Sequence, residues 1–128
     1  MTLVRSDVDA GLIETRAIGP LVIATNTDTD SATVDLSAYP GYRVLFLAAV
    51  GARTDGTYTP KIRHSHDDSI FADGTVFSGS AAAVSAADTM RVFTYQPARR
   101  YVKLRVTSAS TTLGASVTGF IILVPPGL

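Results

Sequence analysis

After residue 20, runs of branched and aromatic residues recur between clusters of Gly, Pro, Asn, Asp and Ser, the spacing expected of short β-strands. Residues 21–25 (LVIAT) predict a first strand, followed by a polar stretch over 26–31. Residues 33–36 predict a second, ending near Tyr39-Pro40-Gly41. Residues 42–50 (YRVLFLAAV) form a nearly continuous apolar run. A strand with one wet face alternates, so continuous hydrophobicity predicts a central strand covered on both faces. Asp55-Gly56 then reads as a tight hairpin turn, because glycine accepts the positive φ such a turn demands. Residues 58–66 should return as the paired strand. Pro60 has no amide hydrogen to give a ladder, which assigns it to a strand start, a bulge or a free edge.

Residues 72–88 are rich in Ala, Ser and Gly, and 80–88 fit either a helical turn capped by Ser80 or a small-residue loop. Residues 90–95 and 99–107 form another candidate pair, joined through Gln96-Pro97-Ala98. In the second member Val102, Leu104 and Val106 share one face, while Tyr101, Lys103, Arg105 and Thr107 share the other. Residues 108–112 read as a turn and 115–124 as the last strand. Short strands with polar turns and no βαβ rhythm predict an all-β chain, a β-sandwich of jelly-roll-like or Ig-like type. An up-and-down barrel is the alternative.

Residues 1–20 fit neither period, being interrupted by Gly11, Gly19 and Pro20. They are read as an extended N-terminal arm, made sticky by Val8, Leu12 and Ile13, with residues 21–128 as a single sandwich domain. At 128 residues and 46% hydrophobic, the chain can bury roughly two-thirds of its unfolded surface. Without cysteine there is neither a disulfide frame nor a thiolate metal site.

Formal net charge is zero, which disfavours nucleic acid as the main partner. The charges are unevenly placed. Residues 1–40 set Arg5 and Arg16 against Asp7, Asp9, Glu14, Asp28, Asp30 and Asp35, a net of −4, and the remainder carries +4. Such a split suits either head-to-tail contact between copies or neutralisation within one fold, and the small size favours the second. No basic segment followed by an apolar run opens the chain, and residues 120–124 are too few to span a bilayer. A soluble chain made in a cytoplasm, with no membrane partner, is the expectation.

The sharpest polar cluster is His64-Ser65-His66-Asp67-Asp68. On a strand His64 and His66 share a face, so with Asp67 they are candidate ligands of a divalent ion. The competing reading, a strand end whose aspartates cap a turn, is favoured. No Gly-x-Ser-x-Gly elbow supports a nucleophilic triad, and the adjacent Asp67 and Asp68 would point to opposite faces. Residues 26–31 alternate oxygen ligands but lack the glycine and distal glutamate of a calcium loop. Residues 99–105 (RRYVKLR) are the one basic concentration. A charged strand edge ranks first there, an acidic protein partner second and single-stranded nucleic acid third. No catalytic constellation stands out, no cofactor is called for, and the chain is expected to bind or build.

Two segments also carry a resemblance. One is VGARTDGTYTPKI at 50–62, continuing to Asp67-Asp68-Ser69; the other is RRYVKL at 99–104, followed by a glycine-bearing last strand into Pro125-Pro126. Together, over residues 33–126, they resemble small head-assembly proteins of tailed bacteriophages, the capsid decoration (cement) and minor head proteins. His64, His66 and the first 20 residues stand outside the resemblance. It implies a structural virion protein that sits on the capsid surface, binds the major capsid protein and forms a homo-oligomer, a trimer being favoured. On that reading the arm (Val8, Leu12, Ile13) and a charged strand edge (Arg100, Lys103) would grip the shell. The rivals are a carbohydrate- or host-surface-binding module, a metal-dependent hydrolase using His64, His66 and Asp67, and a tail or connector subunit.

Overall fold

The structure is a computed structural model that describes residues 13–127, with side chains from residue 17 onward. Among the described residues ten strands make two antiparallel sheets: β1 (Ile13–Ile23), β2 (Asp28–Asp30), β3 (Val34–Asp35), β4 (Arg43–Arg53), β5 (Thr57–Ser65), β6 (Ala72–Asp73), β7 (Ser78–Gly79), β8 (Thr89–Tyr95), β9 (Tyr101–Ala109) and β10 (Ala115–Val124). One 3-10 turn, Leu36–Ala38, follows β3 and is capped by the Asp35 carboxylate, which accepts from Ser37 N at 3.0 Å. The first sheet runs β1-β10-β4-β8-β7 and the second β2-β9-β5-β6, with β3 also pairing β9. From β4 onward the long strands alternate between sheets, and the strand order is that of a jelly roll.

Alternation dictates the packing. Val44, Phe46 and Val50 of β4, with Val117 and Ile121 of β10, face Ile62 of β5 and Val102, Leu104 and Val106 of β9 across the gap, all nearly inaccessible. Phe46 stacks on Phe93 with ring centroids 5.5 Å apart and meets Tyr95 edge-on at 6.5 Å. Aromatic pairs in these geometries add about 0.5–1.5 kcal/mol beyond the area they bury.

The expected sandwich is what forms, and three of its expected details differ. Asp55-Gly56 does turn the chain, and Gly56 holds φ +98°, but β4 and β5 belong to different sheets. The Asp55 carboxylate instead accepts from the amides of Thr112, Leu113 and Gly114 at 2.9–3.1 Å, tying this arch to the β9–β10 arch. β8 and β9 likewise cross between sheets and do not pair. Finally, β1 begins at Ile13, inside the stretch read as an arm; a register break between Ile18 and Leu21, at Gly19-Pro20, hides its period in the sequence. Residues 80–88 hold no helix, only a bridge from Val84 to Tyr58.

Pro60 lies within β5 opposite Val106. Tyr58 N and Ile62 O bond away from β9, to Val84 O and Gly74 N. By alternation the Pro60 nitrogen points the same way, between those two contacts, so its missing hydrogen breaks no ladder bond.

Candidate functional site

The two outer faces of the sandwich differ in kind. On the second sheet, the outward side chains of β9 and its neighbours form a ladder of ion pairs. Arg105 Nε meets Asp30 Oδ1 at 2.7 Å and Arg105 Nη1 lies 3.4 Å from Asp28. Lys103 Nζ lies 3.1 Å from Asp30, and Arg63 meets Asp73 at 2.8 Å. Arg100 grips Asp35 in a bidentate fork, Nε at 3.0 Å and Nη2 at 2.9 Å. The Arg105 guanidinium holds the Asp30 carboxyl below the usual carboxylate range, and Arg100 does the same to Asp35. Three carboxylates of the acidic front are therefore neutralised by the basic back within one fold.

This changes the setting of the two cations singled out in the sequence. Arg100 and Lys103 were expected on a strand edge, yet Lys103 lies on β9, an interior strand with β5 on one side and β2 and β3 on the other, and Arg100 immediately precedes that strand. Arg100 also lies over the Tyr101 ring at 4.9 Å, and Lys103 over Phe71 at 4.2 Å. Of the other partner-binding candidates, Val8 and Leu12 lie outside the described residues, and Ile13 opens β1 opposite Leu123.

On the outer face of the first sheet the middle of β10, β4 and β8 is uncharged, while Arg43 lies on the same face at the start of β4. Register aligns Phe120, Leu47 and Val92 in one row across these strands. Ile122, Leu45 and Thr94 flank it on one side, and Thr118, Ala49 and Met90 on the other. None of these residues is charged. Met90 is 55% and Val92 40% exposed, with Phe77 beside them at 68%. A cavity of about 430 Å³ opens on the same side, lined by Arg43, Leu45, Phe77, Thr94 and Val124 among others. The continuous apolar run over 42–50 predicted a strand covered on both faces; its inner face is buried and its outer face, Leu45-Leu47-Ala49, is only half-buried.

The histidine cluster is divided by the end of β5. His64 turns into the core, where its Nδ1 lies 2.8 Å from Tyr95 Oη. That hydroxyl already accepts from the Ala98 and Arg99 amides at 3.1 and 3.2 Å, so its own hydrogen goes to His64. Nδ1 is then the acceptor and the proton of the neutral ring is on Nε2. Burial lowers the His64 pKa, and the charges of Arg99, His66 and Arg63 lower it further. His66 is exposed beyond the strand end. The Asp67 carboxylate accepts from Ser65 Oγ at 2.8 Å and from the amides of Ser69 and Ile70 at 3.0 Å, closing a turn. No group of three or more His, Asp or Glu is placed to hold a metal ion among the described residues.

An open cleft of about 630 Å³ lies at one end of the sandwich, which sequence reasoning did not find. Tyr39, Tyr42, His66, Arg99 and Arg100 line it, and the two tyrosine rings meet edge-on at 5.3 Å. Its parts come from three separated segments, so no local motif announces it.

No protein-family model matches this chain, and no curated protein does. Among solved structures it is similar to the crystal structure of the SPBc2 prophage-derived protein YomS, with 14% identity over 87% of this chain and 92% of that one, at a TM-score of 0.48.

Proposed function

We propose that this chain is a non-catalytic building part of a phage particle, a decoration (cement) protein that binds the outer surface of the major capsid shell and braces it. The observation that carries the reading is the contrast between outer faces: charges paired within the chain on one sheet, and an uncharged, mostly apolar block at the centre of the other, across β10, β4 and β8. A rigid sandwich with large faces suits repeated attachment, where many copies turn weak contacts into firm binding. The sequence resemblance over residues 33–126 supports the same assignment. No cofactor takes part.

Attachment falls to the N-terminal residues and the charged face around Arg100 and Lys103. Co-sedimentation with empty shells tests both. The deletion that leaves β1 intact over Ile13–Ile23 is residues 1–12. A truncated protein that binds shells as well as the intact one removes the N-terminus from the account. For the charged face, Arg100→Glu should weaken binding in a salt-dependent way, while Arg100→Glu with Asp35→Arg restores the internal pair with its polarity reversed. Undiminished binding by that swapped pair would assign Arg100 to the fold alone.

The cleft with Tyr39 and Tyr42 favours a second reading, a glycan-binding module, since aromatic rings beside hydrogen-bonding cations suit sugar recognition. Saturable binding on a glycan array, lost in Tyr42→Ala, would support it over shell attachment.

A further inference from the structure

His64 leaves one hydrogen-bond donor unused among the described residues. It is 9% exposed, its Nδ1 accepts from the Tyr95 hydroxyl, and the proton of its neutral ring is on Nε2. That nitrogen is not sealed in: the fully buried polar side-chain atom without a partner among the described residues is Arg63 Nε. His64 instead helps line a cavity of about 260 Å³, with Thr75, Val76 and Phe77 from the segment between β6 and β7, and Gln96 and Ala98 from the arch between β8 and β9. Tyr95 fixes both the ring and that arch, so Nε2–H is a held donor that opens on a cavity. We propose that this pocket binds a short aliphatic carboxylate, which accepts from His64 Nε2–H and lays its hydrocarbon on Val76, Phe77 and Ala98. The site goes beyond the reading of the chain as a building part and does not depend on it.

Donor, charge and size select that ligand together. A neutral imidazole whose Nδ1 is occupied can only donate from Nε2, so the ligand must bring an acceptor. The field around the ring then favours an anionic one. Burial first, and then the charges of Arg99, His66 and Arg63, disfavour a proton on His64, with only Asp73 acting the other way. A carboxylate relieves that excess of positive charge, a cation meets repulsion, and a neutral carbonyl gains the hydrogen bond alone. The walls give the rest of the molecule its character. Val76 is half-buried and Phe77 and Ala98 are exposed, so hydrocarbon laid on them takes apolar surface out of water. At about 260 Å³ the cavity falls below the roughly 300–1,000 Å³ of sites for drug-sized molecules, which limits the ligand to a few carbons. Such a group exists as a free acid and as the apolar C-terminal residue of a peptide chain.

The probe is isovalerate, added to the intact chain at pH 7.5 while proton–nitrogen NMR follows the His64 ring. The expected result is a saturable shift of Nε2 with a dissociation constant on the order of millimolar, the strength open to so small a ligand. Isovaleramide, with the same shape and no charge, should give none. At saturation the His64 pKa should rise, because the bound anion offsets Arg99; a histidine with a purely structural role would not respond. Ala98→Leu fills the cavity from an exposed position and should abolish the shift with circular dichroism unchanged. Arg99→Gln should weaken binding by up to about fivefold. No saturable shift, an equal response to isovaleramide, or a shift that survives Ala98→Leu overturns the proposal. The tripeptide Gly-Gly-Val presents the same acid at a chain end. Binding at least as tight as that of isovalerate, lost on amidation, assigns the source as a chain terminus; weaker binding assigns it as a free acid, and both uphold the site. Shell co-sedimentation is scored separately, so the pocket and the decoration reading can each fail alone.

Discussion

Replacing Tyr95 by Phe removes one oxygen and tests how the two sheets are tied together. That hydroxyl accepts from Ala98 N at 3.1 Å and Arg99 N at 3.2 Å, which shapes the arch from β8 to β9, and it bonds His64 at 2.8 Å, which links the arch to β5. The ring itself is 2% exposed and packs on Phe46, so the substitution keeps the volume and the apolar contact. Each hydrogen bond contributes about 0.5–1.5 kcal/mol net, and a buried partner left unsatisfied costs about 1–3 kcal/mol. The two amides are only partly buried and regain water in part, whereas His64 Nδ1 does not. The sum is a destabilisation of about 2–3 kcal/mol. Urea unfolding at pH 7.5, followed by far-ultraviolet circular dichroism, should show a lower midpoint with an unchanged m-value. The hydroxyl also favours the neutral form of His64, so the variant should depend less on pH between 5 and 7 than the parent. A loss below about 0.5 kcal/mol, or nitrogen NMR showing the proton on Nδ1 in the parent, would refute the assignment of donor and acceptor at this tie.

Other consequences follow from the same contacts. His64 has a folded pKa below its usual 6.5, so its contribution to stability is complete above about pH 6.5 and is lost as pH falls through the folded value; His64→Gln should flatten that part of a melting-temperature profile. Asp30, Asp55, Asp67 and Asp73 are held below 3.8 by Arg105, by the Gly114 amide, by the Ile70 amide and by Arg63 respectively, so a second loss should begin as pH falls below about 4. Leu104→Ala empties a fully buried site facing β10 and should cost about 2–5 kcal/mol in urea unfolding. Asp55→Ala releases the amides of Thr112, Leu113 and Gly114, and limited proteolysis should then cut near residues 110–114 faster than in the parent.

Much of the fold can be read from alternation alone, and the rest shows what alternation omits. The period-two pattern of residues 101–107 identifies β9 and its buried face, because side-chain direction is a local property of a strand. It cannot say which strand lies alongside. Asp55-Gly56 therefore suggests a hairpin, while the fold uses it as an arch, a choice made by the distant amides of 112–114. Tyr95 reads as one more apolar strand residue; its role as a tie depends on an arch and a histidine from two other segments. The unequal halves of the charge pattern do announce their own neutralisation, since Asp28, Asp30 and Asp35 meet Arg105, Lys103 and Arg100. The apolar outer side of β4 was legible too, as the doubly apolar run over 42–50, but at Leu45, Leu47 and Ala49 it is half-buried where the sequence alone suggested full cover.

Electron microscopy of purified particles that carry this protein tests the central claim most directly, because position, symmetry and copy number appear in one map. Sandwich-shaped density is expected at regular sites on the outer surface of the head shell. Density confined to the tail or the connector, or no ordered copies on the shell, would contradict it.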